Sequence, residues 1–499
     1  MTHPEANPPS GTPPPKDSLP TAPEETTDQK ARARVAVARL AVVIFVGTAL
    51  WFVPVPSGVQ PRAWHLLAVF VATMVGIILR PIPMGAMAFV AAAFAVLSGT
   101  LTITEATAGF GSTVVWLVVA AFFIATAFIK TGLGVRIAYH FMRVLGNSSL
   151  GLAYGLVATD LVLAPAIPSN TARAGGVIYP ILKSLCTSLG SDAEQGTERR
   201  IAGFLTFTAY QGVVVTSAMF FTAMAANPLA AEFAAQQGVE ITWELWALAA
   251  SVPGALSLLF VPLLIYRLYP PEIKRTPEAP ELARKRLREM GAMERDEWIL
   301  LTVFILLLGL WIFGGVLGVH ATTTAMVGVG AMLATGALDW EDILKERSAW
   351  DTLIWFAVLV MMASQLGELG LLDWFSDRVS GVLADGHWLP AFLSLSLIYF
   401  YSHYFFASNT AHVSAMYAPF LALALAVGTP PLLAALVLAF FSNLFASMTH
   451  YGTAPAPILF GSGNVEIGTW WKLGALISVV NITIWLGIGS LWWKLLGLW

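Results

Sequence analysis

Eleven runs of apolar residues, most of them near twenty long, leave this chain few places to fold. They fall near residues 36–53, 62–80, 83–99, 113–130, 201–226, 247–269, 298–318, 321–338, 351–370, 430–460 and 471–493. A helix of that length crosses about 30 Å of hydrocarbon. Only 11% of the 499 residues are charged and 57% are apolar, against roughly 25% charged in a soluble domain. Too little polar material is present to clothe soluble domains of this total size. The reading is an all-α polytopic membrane protein with about eleven transmembrane helices, embedded in a lipid bilayer.

Other classes fall away. The net charge of −3 gives no sign of nucleic acid, and the lone Cys186 excludes a disulfide framework or a cysteine-based metal site. The eight histidines show no zinc spacing, and no phosphate loop or nucleophile elbow occurs. No catalytic residue, cofactor or metal is expected. The opening residues are rich in Pro, Thr and Glu without the apolar core of a signal peptide, so 1–34 reads as a disordered cytoplasmic tail.

Two further apolar stretches are too long for one crossing, and each is interrupted by the same four residues, Ser-Asn-Thr-Ala. Polar backbone at membrane depth is tolerated only where it is buried in protein or lines a cavity. Both stretches, 149–188 and 387–428, are therefore read as re-entrant helical hairpins that enter and leave on one side. With the N-terminus in the cytoplasm, this topology leaves only Arg62, Arg378 and Lys494 outside. Of the other 24 basic residues, Lys16 lies in the tail, Arg173 in a hairpin, and 22 fall inside.

A first transmembrane helix over 35–61 is followed by a repeat over 62–269. A charged linker, 270–297, reads as a solvated cytoplasmic helix and loop, and a second repeat covers 298–499. Each repeat holds several spans, a hairpin tipped by Ser-Asn-Thr-Ala and a span broken by small and polar residues. The hairpins open from opposite sides, so the repeats are inverted. Inverted repeats with broken helices are the architecture of secondary transporters.

The first tip reads Pro168-Ser169-Asn170-Thr171-Ala172-Arg173, and the second reads Ser408-Asn409-Thr410-Ala411-His412. Ser, Asn and Thr favour helix N-caps. A helix starting at each tip would aim N–H donors and its positive dipole end at the membrane centre. Two such tips make two neutral clamps for the two carboxylates of a small diacid. Of the broken spans, the second should unwind between Gly452 and Pro457, and the first, less sharply, between Thr222 and Pro228. Thr222 and Thr453 align as Thr-Ala pairs and are candidate substrate ligands, against the common alternative that each bonds its own backbone. Leu133 to Leu145 and Leu371 to Leu383 are amphipathic and read as horizontal arm helices. Trp470, Trp471, Trp492, Trp493 and Trp499 read as interfacial belts.

The tips and their flanks, Pro-Ser-Asn-Thr-Ala-Arg-Ala-Gly-Gly, Ser-Asn-Thr-Ala-His and Thr-His-Tyr-Gly-Thr, resemble the divalent anion/sodium symporter superfamily. The resemblance narrows to the branch of bacterial citrate/succinate and tartrate/succinate antiporters and plastid oxoglutarate/malate translocators. It implies a homodimer in which a scaffold domain holds a transport domain that moves like an elevator. It also implies substrate contacts at Ser169, Asn170, Thr171, Ser408, Asn409, Thr410 and Thr453. By the same resemblance Arg173 and His412 lie close to where sodium-coupled members hold their cations. Both are read as charge-compensating, against a structural ion pair of Arg173 with Asp160 and a neutral core His412. His450 is a further candidate for that role. The function expected is sodium-independent exchange of dicarboxylates (succinate, malate, oxoglutarate, tartrate, with citrate a further candidate) across a bacterial inner membrane, with the C-terminus periplasmic. The alternative is a sodium-coupled symporter of di- or tricarboxylates.

Overall fold

The computed structural model describes residues 27–371 and 387–499, with Trp374 and Arg378 between them, and side chains from Arg34 onward. Most of the expected tail and most of the arm expected over Leu371 to Leu383 lie outside the described residues. The first helix, Thr27–Trp51, begins inside the stretch expected to be tail. Gln29, Lys30, Ala31, Arg32, Ala33 and Arg34 are good helix formers and extend it.

Every regular element among the described residues is helical, and the one antiparallel bridge, Ser148 with Arg275, is isolated. Helices occupy all eleven apolar blocks. Seven are long and apolar enough by themselves to cross a membrane, while others, such as Met84–Leu97 and Ala321–Thr335, are shorter. Ile44 and Phe45 stand 59% and 72% exposed. Such apolar outer faces suit lipid and not water.

The two hairpin stretches share a backbone plan. The first runs Ser149–Leu163, turns through 164–169, resumes as helix at Asn170, widens into a π-helix over Ala172–Ile178 and ends as Tyr179–Ser188. The second runs Trp388–Ser402, tightens to a 3₁₀ turn at His403–Phe405 and restarts as Asn409–His412. It then widens over Val413–Tyr417 and ends as Ala418–Ala426. The two widenings have a common cause. Pro180 and Pro419 each stand ten residues past the tip asparagine. Proline lacks the N–H for the carbonyl four residues back, and its ring clashes with it. That carbonyl belongs to Gly176 or Ala415, inside each π-helix, where a wider turn relieves the clash.

Both broken spans are observed. Ala202–Met219 ends at an extended Phe220, passes a 3₁₀ turn at Phe221–Ala223 and resumes as Ala226–Ala235. Pro431–Leu444 passes a 3₁₀ turn at Phe445–Ser447, loses regular structure over 448–454 and resumes as Pro455–Phe460. This second break lies earlier than Gly452 to Pro457. Pro455 opens a helix because at its first position no N–H is needed and the ring presets φ.

The arm over Leu133–Leu145 forms with those bounds. The linker is not free beside it, because its helix Glu278–Glu289 buries Ala279, Pro280 and Ala283. The Thr276 hydroxyl donates to the Gly146 carbonyl at 2.7 Å. Arg136 on the arm donates to both carboxylate oxygens of Glu297, at 2.6 and 2.9 Å. The charges of the helix Glu278–Glu289 face outward, while its small residues dock. Two of the five expected belt tryptophans are core residues, Trp470 and Trp493 being 0% and 1% exposed. Trp493 donates to the Ala249 carbonyl at 2.9 Å, and Trp470 packs edge-on to Phe207 and Phe460.

Candidate functional site

Each tip serine caps its own helix. The Ser169 hydroxyl accepts from the Ala172 N–H at 3.1 Å, and Ser408 accepts from Ala411 at 3.4 Å. The capped N–H is the third of each helix. The N–H groups of Asn170 and Thr171, and of Asn409 and Thr410, have no carbonyl within the helix to bond. Ser169, Thr171, Ser408 and Thr410 are partly exposed, whereas Asn170 and Asn409 are buried. Asn170 donates from Nδ2 to the Thr453 hydroxyl at 3.2 Å, joining the tip of one half to the break of the other. Asn409 instead donates to the Ser442 carbonyl at 3.1 Å. A second link across the halves was not legible in the sequence, which gave Asn443 no motif. Asn443 donates to the Asn227 side-chain oxygen at 2.8 Å, while Asn227 donates to the carbonyls of Ser217 and Phe220.

Thr222 is spent on structure. Its hydroxyl donates to the Pro165 carbonyl at 2.6 Å and accepts from Trp243 Nε1 at 3.2 Å. It pins the first tip to the first break and has no proton left for a substrate. Beyond Trp243 lies a cavity of about 620 Å³ that Glu232, Glu240 and Glu244 line. Three carboxylates make it a poor place for a dianion.

Arg173 is completely buried and heavily bonded. It donates to Asp160 at 2.9 Å, to the carbonyls of Ile167 and Ala223 at 2.7 and 2.6 Å, and to the Ser217 hydroxyl at 3.0 Å. Thr216 donates to the other oxygen of Asp160. The ion pair with Asp160, named as the alternative for Arg173, is formed, as a guanidinium buried in low dielectric requires a counter-ion.

His412 differs in another way. It is 0% exposed, among the rings of Tyr399, Phe406 and Phe445 at 4.6, 4.7 and 4.7 Å. Its Nε2 lies 3.0 Å from the Ser402 hydroxyl, whose own proton goes to the Tyr399 carbonyl. Ser402 must therefore accept, and His412 donates from Nε2. No carboxylate pairs with it among the described residues, and burying a charge without a partner is costly. The setting suits the uncharged ring. His450 accepts on Nδ1 from the Trp471 indole at 3.1 Å. No group of three or more His, Cys, Asp or Glu among the described residues is placed to hold a metal ion.

Residues 34–499 match the family model described as the sodium:sulfate symporter transmembrane region. The chain belongs to this family. It is a multi-pass membrane transporter and not an enzyme, and the resemblance carried by its tips holds at the level of the superfamily. A putative malate transporter of Bacillus subtilis, YflS, is 53% identical over 473 residues, covering 95% of this chain and 99% of that protein. Dicarboxylate transporter 1 of spinach chloroplasts is 51% identical, covering 91% of this chain and 81% of its own. The Escherichia coli inner membrane protein YbhI is 39% identical, covering 92% and 97%. Among solved structures, the Alcanivorax borkumensis YdaH transporter superposes with a TM-score of 0.53 at 14% identity, covering 94% of this chain and 98% of that one. That likeness concerns the fold alone.

Proposed function

We propose that this transporter exchanges dicarboxylates (succinate, malate, oxoglutarate or tartrate, with citrate a further candidate) across a bacterial inner membrane, without sodium. The observation that carries the reading is the bond between Asn170 and Thr453. It brings a tip of one half against the break of the other, beside capped helices that keep free N–H donors. Donors at two separate helix N-termini suit an anion with two carboxylates. The proposed substrate ligands are Ser169, Asn170, Thr171, Ser408, Asn409, Thr410 and Thr453. The names of the malate and dicarboxylate relatives support the substrate class.

Sodium independence rests on Arg173. Unwound carbonyls coordinate sodium in transporters with broken helices, and here the guanidinium takes those of Ile167 and Ala223. Exchange follows from the tips themselves. Without an anion they would carry unpaired donors through a low-dielectric barrier, at about 1–3 kcal/mol for each buried group. The moving body comprises the hairpins and broken spans of two inverted repeats, 62–269 and 298–499, working as an elevator within a homodimer. The N-terminus is cytoplasmic and the C-terminus periplasmic. In a chain freed of Cys186, a cysteine replacing Arg284 should react only with reagents that enter the cytoplasm. Labelling of intact cells by an impermeant reagent would overturn that orientation.

The test of function uses purified protein in liposomes. Labelled malate should enter malate-loaded vesicles and stay near background in diacid-free vesicles, with or without an inward sodium gradient. Asn170→Ala and Asn409→Ala should insert normally and lose about tenfold or more in apparent affinity or rate, since each removes a donor from a buried anion site. Concentrative, sodium-driven uptake into diacid-free vesicles would restore the symporter. Unchanged exchange in both variants would remove the site.

A further inference from the structure

His403 carried no motif, and its position raises a question of cost. It is 0% exposed and stacks on Phe445 with ring centroids 3.6 Å apart. Its Nδ1 has no hydrogen-bond partner. A buried nitrogen without a partner is destabilising. Phenylalanine would fill a slot that needed only a flat ring, with no such cost. The compensation must lie at the other nitrogen.

Nε2 lies 2.8 Å from the Gly452 carbonyl, and a carbonyl only accepts, so Nε2 is the donor. Gly452 immediately precedes Thr453, and their segment has no helical ladder to hold it. Two neighbouring contacts fasten the same segment to the same turn. Tyr451 donates to the Tyr404 carbonyl at 3.0 Å, and Tyr404 donates to the Met448 sulfur at 3.0 Å. On the other face, Thr453 receives Asn170 from the first tip. The first half has a counterpart, in which Arg173 donates to the Ala223 carbonyl in its own break.

We infer that His403 is a positioning residue for substrate, its Nε2–H holding the Gly452 carbonyl and so aiming the Thr453 hydroxyl at the first tip. The inference rests on the site proposed above and adds a residue that touches no substrate.

The test compares His403→Phe, which keeps a ring and drops the donor, with His403→Gln, which keeps a donor. His403→Leu serves as a second donor-less variant should the phenylalanine fail to fold. Malate-loaded vesicles report apparent KM and maximal exchange rate, and a thermal unfolding midpoint reports folding. His403→Phe should raise apparent KM about tenfold, equivalent to the loss of one hydrogen bond's worth of positioning, with maximal rate within about threefold of the parent. His403→Gln should recover most of that loss. Because His403 acts through Thr453, adding His403→Phe to Thr453→Ala should change KM little further. An unchanged KM in folded donor-less variants, full additivity with Thr453→Ala, or a glutamine no better than phenylalanine would each overturn the inference and leave the site standing. An unchanged KM in Thr453→Ala itself would instead remove Thr453 from the site, and the inference with it.

Discussion

Arg173→Gln is expected to abolish exchange and to lower the thermal unfolding midpoint sharply. The guanidinium makes four hydrogen bonds in a fully buried setting, one of them to Asp160. Removing one partner of a buried pair leaves the other charge uncompensated, at about 3–5 kcal/mol. Glutamine cannot reach four acceptors and carries no charge. The loss alone would not separate folding from transport, so the neutral pair Arg173→Gln/Asp160→Asn is the informative comparison. It removes both charges together and should restore most of the unfolding midpoint. Exchange should stay impaired, because the carbonyls of Ile167 and Ala223 lose the donor that holds the first tip against the first break. Full recovery of sodium-free exchange in the double variant would make Arg173 a structural half of an ion pair and nothing more. Exchange that recovers only with sodium would support the view that the guanidinium stands where a cation would otherwise sit.

Much of the fold was legible because helices in a membrane are specified locally. The arm over Leu133–Leu145 could be bounded from amphipathic spacing alone. The serines at both tips could be assigned as caps from residue type and from the helices that follow. Partners far away in the chain were harder to see. Asp160 could be named as a partner of Arg173 because both lie in one hairpin. His450 accepts from the Trp471 indole, which sequence alone does not place beside it. Trp470 and Trp493 were misread because apolar segments near a chain's end resemble membrane boundaries, whereas packing buries both rings. His403 left no signal at all, since its partner is a backbone carbonyl 49 residues away. At the tips, residue type offered Arg173 and His412 as charge-compensating candidates, each with an alternative, and the fold supplies their surroundings: a pairing with Asp160 for one and an aromatic pocket for the other.

Gly452→Ala is expected to reduce apparent affinity for diacid by about tenfold or more while leaving insertion intact. A Cβ at Gly452 would collide with the Thr449 hydroxyl and lie 2.9 Å from His403 Nε2. Overpacking of this kind costs about 1–3 kcal/mol. The strain is steric, since Gly452 is not among the glycines held at positive φ. Where it relaxes decides the outcome. The Thr449 hydroxyl has no hydrogen-bond partner and can turn away. His403 cannot follow, because it is pressed against Phe445. The loop must then retreat from His403, lengthening the bond to the Gly452 carbonyl and carrying Thr453 away from Asn170. Thr449→Ala/Gly452→Ala relieves the closer clash and leaves the one with His403, so it should recover only part of the affinity. Gly330→Ala, in the helix Ala321–Thr335 with nothing within 4 Å of the added carbon, controls for the substitution itself. Exchange kinetics in malate-loaded vesicles check the series. If Gly452→Ala matched Gly330→Ala in apparent affinity, the close packing of loop against imidazole would have no part in holding the substrate site.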